Sequence, residues 1–243
     1  MDWAHAAPTA LAAFLASLVE FVEALTIVLA VGAVRGWRGA LGGAAIALGV
    51  LLVIIVVLGP ALVAVPRGLL QLAVGTLLLL FGLRWLRKAI LRAAGIIPLH
   101  DETTAFAQET AALRRLGGIT TGWDRIAAAT SFKITMLEGI EVVFIVIAMG
   151  AGGPGLMAAA SLGALAALLL VIALGLLLHR PVATVPENTL KFVVGVLLSA
   201  FGTFWAGEGL GIVWPGADLS LFGLVAGFLL VALAIVPLAT RRA

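Results

Sequence analysis

Seven runs of about twenty apolar residues follow one another along the chain, roughly Ala10–Val34, Leu41–Val65, Leu69–Leu86, Phe132–Gly150, Leu156–Leu178, Thr189–Leu210 and Leu219–Pro237. A bilayer core of about 30 Å takes about 20 apolar residues per helix, so each run is long enough to cross it. In water the same runs would need covering. With 63% of the 243 residues hydrophobic and 11% charged, too little polar surface exists to do so. The expectation is an all-α integral membrane protein with seven transmembrane helices. A net charge of +3 on such a chain points to basic loop ends rather than to a nucleic-acid partner, and none is expected. The absence of cysteine removes disulfides, thiolate metal sites and iron–sulfur ligation.

Basic residues orient the spans. Arg35, Arg38, Arg84, Arg87, Lys88, Arg92, Arg114, Arg115, Arg125, Arg180, Arg241 and Arg242 all follow odd-numbered spans, whereas the opposite side shows Arg67. The positive-inside rule then places the N-terminus outside and the C-terminus in the cytoplasm, in what is expected to be a bacterial cytoplasmic membrane. Before Arg35 no Lys or Arg occurs, which argues against a cleaved signal peptide. The polar interval between spans three and four reads as a solvated cytoplasmic connector. Within it Asp101 is placed to cap a short helix with Phe106, Leu113 and Leu116 on its apolar side.

The chain also repeats itself. Val65-Pro66, Gln71, Gly75, Leu78, Phe81-Gly82 and Trp85 recur 120 residues later as Val185-Pro186, Lys191, Gly195, Leu198, Phe201-Gly202 and Trp205. Upstream, Glu20, Glu23, Ile27, Val28, Ala30 and Gly32 recur 118 residues later as Glu138, Glu141, Ile145, Val146, Ala148 and Gly150. Three spans per copy is an odd number, so the second copy enters the membrane from the opposite face. The expected organisation is a first three-helix repeat (1–90), a connector (91–130), an inverted second repeat (131–212), and a seventh helix with a basic tail (213–243). Inverted repeats recur in transporters, with the substrate site near the midplane where the copies meet.

Four carboxylates lie at that depth: Glu20 and Glu23 in span one, Glu138 and Glu141 in span four. Each intramembrane acid costs about 2.5–3.5 kcal/mol on insertion scales, so four in repeat-related pairs call for a function. The i, i+3 spacing puts each pair on one helix face. A hydroxyl precedes each pair, Ser17 in one copy and Thr135 in the other. Brought together, these oxygens suit a hard cation, with six to eight ligands if calcium-like and six if manganese-, magnesium- or iron-like. The competing account is that the acids are protonated hydrogen-bonding groups holding helices together, or partners of a buried base.

Gln71 and Lys191 occupy equivalent places and are candidates for an auxiliary role. Lys191, near the start of span six, is read first as snorkelling to the interface; Lys133 could pair with Glu138 only by reaching along its helix, and no other base is expected at the depth of the acids. Trp37, Trp85, Trp123, Trp205 and Trp214 read as an aromatic belt, Glu208 and Asp218 as loop acids, and His179 as interfacial.

Val19-Glu20-Phe21-Val22-Glu23-Ala24 and Leu137-Glu138-Gly139-Ile140-Glu141-Val142 resemble the Arg-Glu-x-x-Glu motifs in the first and fourth helices of the high-affinity iron permeases. Gly139-Ile140 fits the usual Gly-Leu between the acids, while Val19 and Leu137 stand where that family has arginine. The wider lysine-exporter-like superfamily of duplicated three-helix transporters has comparable acidic motifs. The resemblance implies seven spans, an outside N-terminus and acids that carry the metal. The functional expectation is a secondary transporter of a hard di- or trivalent cation of the iron, manganese or calcium class, with proton coupling left open. Glu20, Glu23, Glu138 and Glu141 are its ligands, and Ser17, Thr135, Gln71 and Lys191 are auxiliary. The metal is cargo and no permanent cofactor is expected; the partners are the metal ion and the bilayer, with a homo-oligomer left open. An enzyme is not expected, because the spans lack a His-Glu-x-x-His, a Ser/His pair or paired catalytic aspartates. The alternative is an exporter of amino acids or other organic cations.

Overall fold

In lipid a helix satisfies its own backbone, and these Leu-, Ala- and Val-rich runs take that form almost without interruption. The structure, a computed structural model, describes residues 3–63, 65–116, 123–150, 155–178 and 187–240. Among them are eight α-helices and no strand: α1 (Trp3–Arg35), α2 (Trp37–Val63), α3 (Arg67–Ala93), α4 (Glu102–Arg115), α5 (Arg125–Gly150), α6 (Leu156–Leu178), α7 (Glu187–Gly209) and α8 (Ser220–Thr240). Six of them, α1, α2, α3, α6, α7 and α8, contain stretches long and apolar enough to cross a membrane. The fourth expected span lies in α5, which is 26 residues long but carries Arg125, Lys133, Glu138 and Glu141 and so falls outside that apolar class.

Local chemistry sets the breaks. Gly36, at φ +105°, takes the left-handed conformation that separates α1 from α2 without an intervening loop. Gly95, at φ +74°, ends α3, and the Ile96 amide reaches back to the Leu91 carbonyl at 3.0 Å, closing the last turn.

The packing partners are α3 with α7, α1 with α6, α2 with α5, and α1 with α5. Exchanging the two sequence repeats turns that set of pairs into itself. The close contacts follow the same exchange. A Cβ at Gly43 would collide with the Ala128 carbonyl in α5, and a Cβ at Gly163 would collide with the Ala10 carbonyl in α1. Gly43 and Gly163 are 120 residues apart, and Ala10 and Ala128 are 118 apart. Between α3 and α7, Gly75 faces Ala206, Gly82 faces Ser199, Gly195 faces Leu86 and Gly202 faces Leu79, so the two helices run antiparallel. Glycine costs about 1 kcal/mol in a helix relative to Ala, and backbone-to-backbone approach of this kind is what offsets it in a membrane.

α8 sits outside the two repeats, with Ala232 and Phe228 against Leu86, Ile90 and Val196 of α3 and α7. Most side chains of the connector helix are exposed, and one face of it is packed. This helix, α4, docks on α1, with Leu113 buried against Val28, Val31, Ala40 and Ala127. Asp101 caps α4 by accepting from the Thr103 amide at 3.0 Å, Phe106 is half-buried and Leu116 is exposed. A reciprocal pair fastens the segment before α4 to the start of α7: the His100 amide donates to Asn188 Oδ1 at 3.2 Å, and Asn188 Nδ2 donates to the His100 carbonyl at 3.1 Å.

The aromatic-belt expectation needs correcting. Trp37 and Trp123 are exposed, but the repeat-related Trp85 and Trp205 are buried in the core, and Trp214 stacks on Phe204. His179, Arg180 and Val185-Pro186, together with the side chains of Arg67 and Asp218, lie outside the described residues.

Candidate metal centre

Glu20 lies next to the centre of α1 and Glu138 at the centre of α5, so each helix carries its first acid at mid-length. Arg35, in the last turn of α1, pairs with Asp124, just before α5, at 2.8 Å. Glu20 and Glu138 lie within hydrogen-bonding reach of each other, so α1 and α5 cross antiparallel through this point. Each second acid stands three residues further along its own helix, a rise of about 4.5 Å. Glu23 and Glu141 therefore diverge to opposite sides of the central pair.

Carboxylate oxygens of Glu20, Glu138 and Glu141 lie within 4.8 Å of one another. Two oxygens on one ion are separated by at most twice the metal–oxygen distance, about 4.2 Å for a magnesium-like ion and about 4.8 Å for a calcium-like one. Three carboxylates at this spacing match the dimensions of one hard-cation shell. Glu20 is 2% exposed, and its Oε1 has no hydrogen-bond partner among the described residues. The buried hydroxyls of Ser17 and Thr135 are likewise unpartnered among the described residues. Buried polar atoms are ordinarily paired, so Glu20 Oε1 and these two hydroxyls, each three residues before an acid on its own helix, keep hydrogen-bonding or ligating capacity unused among the described residues.

Glu23 does not join the other three. Its carboxylate accepts from Lys191 Nζ, and that ammonium lies 5.5 Å from the centre of the Trp85 ring. Lys191 is buried, which corrects both the snorkelling expectation and the expectation that no base reaches the acids. Gln71, its counterpart in the first repeat, donates instead to Glu208 Oε2 at 2.9 Å, so the two auxiliary residues are not equivalent. Glu208, expected as a loop acid, is half-buried by this contact. Arg84, which sequence reasoning assigned to orientation alone, brings Nη1 to 3.7 Å from Glu141 Oε1 on a side chain that is 67% exposed. Lys133 is exposed.

Outside the spans, the same helix pair is tied by electrostatics. Burial pushes the Asp124 carboxyl up, but the amides of Ala127 and Ile126 and the Arg35 guanidinium outweigh it and hold the group below the ordinary carboxylate range. A cavity of about 490 Å³ between α3 and α5, lined by Leu69, Val74, Leu77, Phe81, Phe144 and Ala148 among others, is wholly apolar and supplies no ligand.

No protein-family model, no curated protein and no solved structure matches this chain.

Proposed function

We propose that the protein is a secondary transporter of a hard di- or trivalent cation of the iron, manganese or calcium class, akin to the iron permeases, and that Glu20, Glu138 and Glu141 hold the ion in transit. The observation that carries this reading is the meeting of three carboxylates from repeat-related helices at mid-helix depth, with Glu20 Oε1 buried and unpartnered among the described residues. Ionisable residues placed so cost insertion energy and mark ion pathways. In this reading α5 is a seventh span and the chain is an inverted 3+3 repeat plus α8, with its N-terminus outside a bacterial cytoplasmic membrane. The antiparallel α3–α7 pair and the exchange-related contacts of Gly43 and Gly163 support that arrangement. Protons compete with metal for the same carboxylates, so transport is proton-sensitive and lowering pH on the loading side slows uptake.

One observation favours a second reading, a carrier of organic cations: the ammonium of Lys191 is already seated between a carboxylate and an indole ring. Flux into proteoliposomes separates the two. Entry of Mn²⁺, Fe²⁺ or Ca²⁺ followed by an internal metal-sensitive dye, abolished by Glu138→Gln, supports metal transport. Entry of labelled lysine or a polyamine with no metal flux refutes it.

A further inference from the structure

The two ends of the carboxylate line differ although the sequence repeat makes them equivalent. Glu23 and Glu141 are repeat mates, as are Lys191 and Gln71. At one end Lys191 is buried and paired with Glu23, its ammonium over Trp85. At the other, Gln71 is neutral and turned toward Glu208, and Glu141 has the loose contact with exposed Arg84. Lysine therefore neutralises one of four carboxylates from within the protein, and the other three make up the cluster.

Resting on the metal-transport reading, we propose that Lys191 is a tethered cation that occupies Glu23 and competes with the transported ion for it, fixing the resting site at three carboxylates. The stem of Lys191 carries its charge to a place where a mobile cation would otherwise sit. An incoming ion meets Glu141 and the Glu20–Glu138 pair, and recruits the fourth carboxylate only by displacing the ammonium. Because Lys191 is tethered, a displaced ammonium stays at hand to reclaim Glu23 and opposes any lasting hold by all four acids. Release is thereby favoured over trapping. Lysine suits this task as a compact charge on a flexible arm, whereas arginine's planar fork would bind a carboxylate in two places.

Equilibrium Mn²⁺ binding to the full-length protein in lipid nanodiscs, at fixed pH and salt, tests the proposal. Lys191→Gln, which restores the residue of the first repeat, is expected to tighten Mn²⁺ binding tenfold or more and to slow release. Lys191→Met, which keeps the stem against Trp85, should do the same if the glutamine variant does not fold. Glu23→Gln alone should weaken binding tenfold or more, because the ammonium then turns its charge on the remaining acids that hold the ion. The double variant E23Q/K191Q should return to within about threefold of the unmodified protein. Unchanged or weaker binding in both Lys191 variants, or a double variant as weak as E23Q, overturns the proposal. If the unmodified protein binds Mn²⁺ and Glu138→Gln abolishes it while the Lys191 variants do not tighten, only the tethered-cation inference falls. If the unmodified protein binds no Mn²⁺, Fe²⁺ or Ca²⁺, the metal-transport reading falls and takes this one with it.

Discussion

Glu20→Gln is expected to move stability and metal affinity in opposite directions. In the metal-free protein Glu20, Glu138 and Glu141 hold oxygens within 4.8 Å of one another, and Glu20 Oε1 has no partner among the described residues. At an effective dielectric of about 20, two carboxylates 4.8 Å apart repel by about 3.5 kcal/mol when both are ionised, which is an upper bound on the relief because a Glu20–Glu138 hydrogen bond needs a proton on one of the two. Replacing one with an amide of the same shape removes that repulsion and the cost of burying a carboxyl, and leaves hydrogen bonding nearly intact. Even 1 kcal/mol of relief corresponds to a rise of roughly 2–4 °C in Tm for a chain of this size. Binding should suffer far more than this gain. Residues that only support metal ligands cost about 10–100-fold when removed, so loss of a ligand should exceed about 100-fold. The assay is thermal unfolding in detergent with and without Mn²⁺, together with a binding isotherm. A higher Tm without metal and the loss of metal-induced stabilisation agree with the account. A lower Tm with unchanged Mn²⁺ binding would refute it and make Glu20 a helix-holding residue.

Three further outcomes follow from the packing and the charge pattern. Gly82→Ala and Gly202→Ala each drive a Cβ into the backbone of the facing helix, at Ser199 and Leu79, and should cost about 1–3 kcal/mol apiece in thermal unfolding; Gly223→Ala meets open space and should be neutral or stabilising. Asp124→Asn should lower Tm by several degrees at neutral pH, because it removes the carboxylate that the buried Arg35 guanidinium meets at 2.8 Å. The depressed Asp124 carboxyl contributes stability that is present above the ordinary carboxylate range, about 3.9, and is lost as pH falls through its lower folded value, so the variant should lack that part of the acid-induced destabilisation seen in the unmodified protein. Single cysteines near Arg67 and Asp218 should be labelled from outside intact cells and those near Arg115 and Ala243 should not; the reverse pattern overturns the charge-based orientation.

The helical class and the meeting of acids from two repeats were legible because both rest on rare residues at fixed spacing. Glu20 and Glu138 keep their distance from each helix end, and the glycines at 43, 75, 82, 163, 195 and 202 are where backbones touch. The Asp101 cap was legible for the same local reason. Depth judged from position along a span failed for longer side chains. Lys191 stands in the first turns of α7, yet its stem runs inward to Glu23, so a residue near a helix start serves a group near the helix centre of α1. Trp85 and Trp205 were misplaced by the same rule, although their recurrence at 120 residues was a sign of paired core positions. The docking of α4 turns on Leu113 filling a gap among α1, α2 and α5, a tertiary fit that no local pattern encodes.

The central claim is that the acids of the two repeats form one metal pathway. Its most direct test is Mn²⁺ flux into proteoliposomes carrying each of Glu20→Gln, Glu138→Gln, Glu23→Gln and Glu141→Gln, with insertion and folding verified for every variant. The account predicts that Glu20→Gln and Glu138→Gln abolish flux to the same extent, that Glu141→Gln abolishes it, and that Glu23→Gln impairs it and is rescued by Lys191→Gln. Normal Mn²⁺, Fe²⁺ and Ca²⁺ flux in all four single variants would contradict it.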